Sequence, residues 1–278
     1  MKQLIKEFIP PVFFRLTKKK TPPPEKKIIY NAYADALSQC TTDAYEENEL
    51  VEIIVKKTQR FAKEIATGGV NIWETAAYSM LGIINPIIEN HPGPVNVLDF
   101  GGAAGAHYFI TRQLINKNVQ LNWVVVETPG MVKQATQLAT PELSFVDNFE
   151  EAVYRLGKIH LLHSSGTLQC VDNPLYFLNQ IVNCNATWLL LNRLGLNKKD
   201  NDVITIHSSM LSWNGIGPLP EGYTDRWVKY PFTFLAENKF LETLQNNYSI
   251  AATFNDRSGM YPVEGEAIIG YGILCKKN

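Results

Sequence analysis

Short apolar runs rich in β-branched residues alternate with stretches of helical spacing through the second two thirds of the chain, the rhythm of a parallel sheet built by crossover connections. The first strand is predicted at 95–100, feeding a helix at about 105–116; a second at 121–127 feeds a helix that begins near Pro129, where proline suits the first turn. Leu143-Ser144-Phe145-Val146 forms a third strand ending at Asp147-Asn148, where Asp147 is equally well placed to cap a helix. The fourth, Ile159 to His163, runs into Ser164-Ser165-Gly166; Asn173-Pro174 opens another helix, and Thr187 to Leu191 is a fifth strand ending at Asn192-Arg193.

Beyond these, 232–244 has helical spacing, and strands at 248–254 and 266–275 lie too close in sequence for a crossover helix, so they pair as an antiparallel hairpin. Between lies 203–230, without clean periodicity and rich in Gly, Pro and aromatic residues, the composition of a binding loop or lid. Ahead of the first strand, Leu50, Ile53, Ile54 and Phe61, then Ile72, Ala76, Met80 and Ile84, fall at helical intervals, and His91-Pro92-Gly93-Pro94 closes that section as a turn. The expected fold class is α/β: a doubly wound, Rossmann-like, seven-stranded and mostly parallel sheet with a C-terminal antiparallel hairpin and an N-terminal helical extension. The expected division is an arm and Pro-rich linker at 1–29, a helical section at 30–92 and the main domain at 93–278, with its cap at about 203–230.

The first strand carries the chemistry. It ends in Asp99-Phe100-Gly101-Gly102-Ala103-Ala104-Gly105-Ala106-His107, a small-residue turn that lets a flat ligand approach main-chain N–H groups at a helix start. Glu127 ends the second strand, at the carboxyl rim where open α/β sheets bind ligands, and an acid there can accept both hydroxyls of a ribose. A dinucleotide and S-adenosylmethionine both suit this layout. The dinucleotide spacing G-x-G-x-x-G would need glycine at 103 and 106, which are alanines. An acid-x-G-x-G-x-G spacing uses Asp99, Gly101 and Gly105 and misses only at Ala103.

Val97 to Phe109 resembles the nucleotide loop of class I S-adenosylmethionine-dependent methyltransferases. More narrowly it is similar to a family of bacterial methyltransferases, often associated with surface-polysaccharide gene clusters, whose loop reads roughly LDFGG-x-x-G-x-x-Y. Tyr45, His163 to Gln169, Leu191-Asn192-Arg193 and Gly270 to Leu274 extend the resemblance over about residues 30 to 276. It implies S-adenosylmethionine as cofactor, held by Asp99, Gly101, Gly102, Ala103, Gly105, Glu127 and Ser164, with Asp147 on the adenine amino group and Asn148 or Phe149 on its ring. It also implies a saccharide or related small-molecule acceptor, methylated on oxygen.

Acceptor contacts are expected from His107, Tyr108, Arg193, Trp213, Tyr223 and Trp227, whose aromatic members can stack on a sugar ring. A hydroxyl acceptor benefits from a base of near-neutral pKa, which makes His163 and His207 the catalytic candidates, with His107 behind them. Strand alternation sets His160 and His163 on opposite faces, so no shared metal site is expected. The alternatives are a cofactor-binding protein of this fold without transfer, motivated by the Ala103 Cβ, and an NAD-dependent sugar-modifying enzyme.

Composition narrows the partners. Hydrophobic content of 45%, charged content of 19% and a net charge of −1 describe an ordinary globular protein with no electrostatic reason to bind nucleic acid. Cys40, Cys170, Cys184 and Cys275 are widely spaced, which suggests buried thiols in a reducing compartment and a cytoplasmic location. Residues 1–20 mix Phe, Leu and Ile with Lys and Arg; such an arm can touch an anionic membrane surface weakly or pack on protein, including a second copy in a homo-oligomer. Thr21 to Lys27, with three consecutive prolines, reads as a stiff linker.

Overall fold

The computed structural model describes residues 28–40, 48–68, 75–255 and 261–278. The arm at 1–20, the linker at 21–27, Tyr45 and Ile72 lie outside them. Three helices come first, α1 (Tyr33–Ser38), α2 (Asn48–Thr67) and α3 (Thr75–Glu89). Next come β1 (Val95–Phe100), α4 (Ala106–Leu114), β2 (Leu121–Val126), α5 (Pro129–Ala135), β3 (Leu143–Val146), α6 (Phe149–Leu156), β4 (Leu161–Ser165), α7 (Pro174–Asn183) and β5 (Trp188–Asn197). The chain continues with β6 (Val203–Met210), β7 (Trp227–Ala236), α8 (Glu237–Gln245), β8 (Tyr248–Asn255) and β9 (Ile268–Lys277).

Strands β3, β2, β1, β4 and β5 lie side by side in that order, all parallel. Beyond β5 comes β9, antiparallel, and then β8, antiparallel to β9. This is the Rossmann-like sheet with a reversed C-terminal hairpin that the sequence predicts. Alternation along each strand sends side chains to two separate cores. Leu98, Phe100, Val124, Leu162, Leu189 and Leu191 meet α6, α7 and α8 on one face. Val95, Val97, Trp123, Val125, Leu161 and Leu190 meet α2, α3, α4 and α5 on the other. Burial on both faces explains why these strands read as continuous apolar runs. No helix among the described residues is long and apolar enough to cross a membrane.

Four expectations need correction. The stretch expected as an irregular loop at 203–230 is strand at both ends, where β6 pairs antiparallel with β7 along its whole length, from Val203↔Phe234 to Met210↔Trp227, and irregular only over the connection 211–226. The helix expected at 232–244 starts only at Glu237, because Phe232 to Ala236 belong to β7, which pairs parallel with the end of β5 at Leu196↔Leu235. The fifth strand continues past Asn192-Arg193 to Asn197, with a shift in register against β9 between Leu191 and Leu194. The cap of α6 is Asn148, whose Oδ1 accepts the Glu151 N–H at 2.8 Å, and not Asp147. Among the cysteines, Cys184 and Cys275 are buried while Cys40 and Cys170 are half-buried.

Candidate functional site

The loop after β1 is held in an unusual backbone path. Gly101, Ala103 and Gly105 take φ of 69°, 50° and 82°, so left-handed residues occur at alternate positions. Gly101 is needed twice over, since a Cβ there would also fall 2.0 Å from the Thr167 hydroxyl oxygen. At Gly102 a Cβ would lie 2.4 Å from an Asp99 carboxylate oxygen. Ala103 thus adopts the conformation that glycine favours while carrying a side chain, a cost of ~1–2 kcal/mol. Glu127 faces this loop: one carboxylate oxygen accepts the Ala103 N–H at 3.0 Å and the other accepts the Thr128 N–H at 2.9 Å. Burial pushes the Glu127 carboxyl up from the usual glutamate range, and the charge of Asp99 adds to that, against the pull of the two N–H donors.

Asp99 turns elsewhere. It lies near the end of β1 on the face that α3 covers, and it stands in register with His163 on β4. His163 Nδ1 lies 2.9 Å from Asp99 Oδ1, and Trp123 Nε1 donates to Asp99 Oδ2 at 3.3 Å. His107, in the first turn of α4, brings its Nδ1 to 3.8 Å from Asp99 Oδ2, and its ring meets that of His163 edge-on with centroids 4.7 Å apart. Asn192, on β5, sets its Nδ2 3.5 Å from His163 Nε2 and 2.9 Å from the Ser79 hydroxyl on α3. Asp99 and His163 are 1% and 0% exposed. Burial raises the Asp99 carboxyl, yet the charge and hydrogen bond of His163, together with His107 and Trp123, outweigh it and hold the group below the usual carboxylate range.

Four residues singled out from sequence therefore gather at the carboxyl rim of β1, β2 and β4: buried Asp99 and His163 with half-buried His107 in one cluster, and Glu127 beside the loop. Ser164 is next to them along β4, in register with Phe100, and its buried hydroxyl has no hydrogen-bond partner among the described residues. Asp147 and Asn148 are exposed at the end of β3, their side chains joined by a 2.8 Å hydrogen bond.

The other candidates are placed apart. His207 lies on β6 among rings, stacked on Tyr261 at 5.1 Å and flanked by Tyr230 and Phe232 at 5.2 and 5.3 Å. The Tyr108 hydroxyl donates to Glu142, which precedes β3, so it points to the amino-terminal edge of the sheet. Arg193 takes φ of 51° at the irregularity in β5, donates to the Ser165 carbonyl at 3.2 Å and lies against Gly166. Trp213 and Trp227 meet edge-on at 5.4 Å and stay 66% and 57% exposed, while Tyr223 accepts a 2.7 Å hydrogen bond from Lys56 on α2.

The sequence reading missed Asn192, Trp123 and Ser79, and it missed the lysine that fastens the β6–β7 connection. Lys57 is 2% exposed and donates to the carbonyls of Ser212, Asn214 and Gly215. Burial pulls it down to about 8, opposed by Asp225. Its signal was legible: Lys57 falls on the apolar stripe of α2 with Leu50, Ile53, Ile54 and Phe61, where a cation is unfavourable unless something receives it.

No protein-family model matches the chain, and no curated protein is similar to it. Among solved structures it is similar to a S-adenosylmethionine-dependent methyltransferase from Clostridium acetobutylicum, at 13% identity and a TM-score of 0.43 over 80% of this chain and 97% of that one. It is also similar to CalS10, an amino pentose methyltransferase from Micromonospora echinaspora involved in calicheamicin biosynthesis, at 11% identity and a TM-score of 0.46 over 79% and 97% of the two chains. A third is DesVI of Streptomyces venezuelae, at 11% identity and a TM-score of 0.43 over 74% and 93%.

Proposed function

We propose that this protein transfers a methyl group from S-adenosylmethionine to a hydroxyl of a saccharide or related small metabolite. The observation that carries the reading is the meeting, at one rim of a Rossmann-like sheet, of a left-handed glycine loop, a carboxylate at the end of β2 and a buried Asp99–His163 pair. The residues present fit the cofactor. Gly101, Gly102, Ala103 and Gly105 offer main chain without bulk, Glu127 can exchange its loop N–H partners for ribose hydroxyls, and the unpartnered Ser164 hydroxyl is available to a ligand. Asp147 and Asn148 stand exposed at the neighbouring strand end, in reach of an adenine edge under this reading. When bound, the cofactor supplies an electrophilic methyl on a sulfonium.

The protein's own share is orientation and activation. Asp99 fixes the ring of His163, so that the acceptor hydroxyl is activated at a preset point, and positioning alone can lower a barrier by ~7–11 kcal/mol. Helices α1, α2 and α3 and the β6–β7 connection together form the acceptor's cover, with Tyr223, Trp213 and Trp227 as its aromatic contacts and Arg193 and His107 nearer the rim. Tyr108, turned to Glu142, is given no acceptor contact, and His207 serves the hairpin's packing.

Titration with S-adenosylhomocysteine and with NAD tests this. Binding of the first together with S-adenosylmethionine consumption in the presence of sugar acceptors supports it. Tight binding of NAD alone overturns it, and binding of S-adenosylhomocysteine with no transfer to any acceptor leaves a cofactor-binding protein without catalysis.

A further inference from the structure

We propose that Asp99, His107 and His163 form a binding site for a divalent first-row transition-metal ion. Each offers one ligand atom, and these atoms all lie within 4.8 Å of one another. Donors sharing an ion at bond lengths of ~2.0–2.2 Å stand roughly 3–3.5 Å apart, close to the 2.9 Å between His163 Nδ1 and Asp99 Oδ1 and the 3.8 Å between His107 Nδ1 and Asp99 Oδ2. A hydrogen-bonded pair accounts for Asp99 and His163 alone. A second imidazole converges on the same carboxylate from α4, at 3.8 Å and on the other carboxylate oxygen. An ion between the three would draw these donors, now within 4.8 Å of one another, together on a single centre.

The donors arrive from three different elements, β1, α4 and β4, and two of them are fixed in register by the sheet, which gives the rigidity that a metal site needs. Two imidazoles and one carboxylate suit Zn²⁺, Fe²⁺ or Co²⁺ and not the all-oxygen preference of Mg²⁺ or Ca²⁺. The surroundings also have the supporting contacts that bound metals require. Trp123 Nε1 donates to the carboxylate, as ligating carboxylates commonly receive a hydrogen bond. If His163 binds the ion through Nδ1, its Nε2 must carry the proton and donate it. The Asn192 amide lies there, and rotated about its Cγ it presents Oδ1 to that N–H while still meeting the Ser79 hydroxyl, which can donate in turn. The two tautomers of His163 thus correspond to two settings of one amide. The site takes up the same Asp99 and His163 as the methyl-transfer reading and rests on it for its use: with an ion bound, His163 is a ligand in place of a base, and the acceptor oxygen is activated at an open position on the ion.

The test is titration of the full chain, stripped with a chelator, with Co²⁺ followed by visible absorption and by proton NMR. Expected are saturation at a single equivalent, ligand-field bands, and strongly shifted exchangeable imidazole protons from two histidines. His107→Ala, on a helix that accepts alanine well, should weaken Co²⁺ by about tenfold or more. Asn192→Leu should weaken it less and remove the shifted Nε2 proton of His163. No saturable binding, no shifted imidazole protons, or equal binding by wild type and both variants overturns the proposal. Should His107→Ala fail to fold, the wild-type spectra decide. S-adenosylhomocysteine titrated into the same samples separates the two readings: cofactor binding without Co²⁺ binding removes the metal and keeps methyl transfer, and the reverse keeps the metal and removes methyl transfer.

Discussion

His163 and His207 are both imidazoles on strands, and composition gives no reason to prefer one. At the centre of the sheet His163 faces a carboxylate at 2.9 Å, an amide and a second imidazole, with no exposed surface. On the added hairpin, His207 is packed against Tyr261, Tyr230 and Phe232. The first environment compensates charge and fixes a proton's position; the second uses the ring as an aromatic slab. The parallel centre holds polar groups that strand register brings together, and the hairpin packs aromatic rings against one another in a cluster of its own. Under the proposed function the first is where the chemistry sits and the second belongs to the acceptor's cover.

The sharpest way to break that division is to exchange the two outcomes. His163→Ala should lower turnover by about 10²–10⁴-fold, the usual worth of an activating group, with little change in S-adenosylhomocysteine affinity. His207→Phe should leave turnover near the wild-type value, since a ring among rings is replaced by another. Steady-state kinetics on both variants decides; a collapse of turnover in His207→Phe with His163→Ala intact would place the chemistry on the hairpin.

Within the centre, and under the proposed function, Glu127 serves to separate the cofactor's contacts from the reaction's. Glu127→Gln should weaken S-adenosylhomocysteine by about 10–100-fold through loss of charge-assisted hydrogen bonds, measured by calorimetry. The same residue gives a pH test in the cofactor-free protein. Its folded pKa is raised by burial and by Asp99, so the folded state holds the proton more tightly than the unfolded chain does. Its contribution is therefore fully present below the usual value of 4.5 and is lost as pH rises through the higher folded value. Chemical denaturation across that window should show this decline in wild type and not in Glu127→Gln. An unchanged slope in the variant would show that the titrating group is another one.

The centre was legible in the sequence and the cover was not, for a physical reason. Strands β1 to β4 are buried on both faces, so their apolar runs stand out against the helices between them, and the turn residues at 101–105 mark where the first ends. The convergence of Asp99 and His163 needed knowledge that β1 and β4 are neighbours, which alternation along one strand does not contain. Asn192 is a further strand away, and Ser79 reaches it from a helix more than a hundred positions earlier in the chain. The hairpin was hidden because β6 mixes buried and half-buried positions, and its long connection carries Gly215, Gly217, Pro218, Pro220 and Gly222. Strand β7 runs directly into α8, so Phe232 to Ala236 borrow the helical spacing of α8.

Lys57 tests whether the hairpin's connection is a cover at all. Its ammonium ties three carbonyls of 212–215 to α2, and Lys57→Met should free that connection while keeping the aliphatic stem. The acceptor KM should rise about tenfold, the worth of one charged hydrogen-bonded anchor, with kcat and cofactor affinity little changed. Limited proteolysis should then cut within 212–226 sooner than in wild type. A fall in kcat at unchanged KM would instead give Lys57 a part in the reaction.

The smallest expected effect concerns the frame on which the centre is built. Ala103 holds φ of 50° with its N–H bonded to Glu127 and its methyl partly buried against the core under α2 and α3. Relief of the left-handed strain by Ala103→Gly is worth ~1–2 kcal/mol, and the added freedom of glycine in the unfolded chain takes back ~0.4–1 kcal/mol. The net gain of roughly 0.8 kcal/mol corresponds to a rise in melting temperature of about 2–3 °C for a chain of this size. A loss of stability would mean that the methyl's packing outweighs the strain, so that alanine is held there for contact with the core. Cofactor affinity read on the same variant sharpens the point: if it rises while stability falls, the Cβ narrows the approach to the loop, and the alanine trades binding for packing.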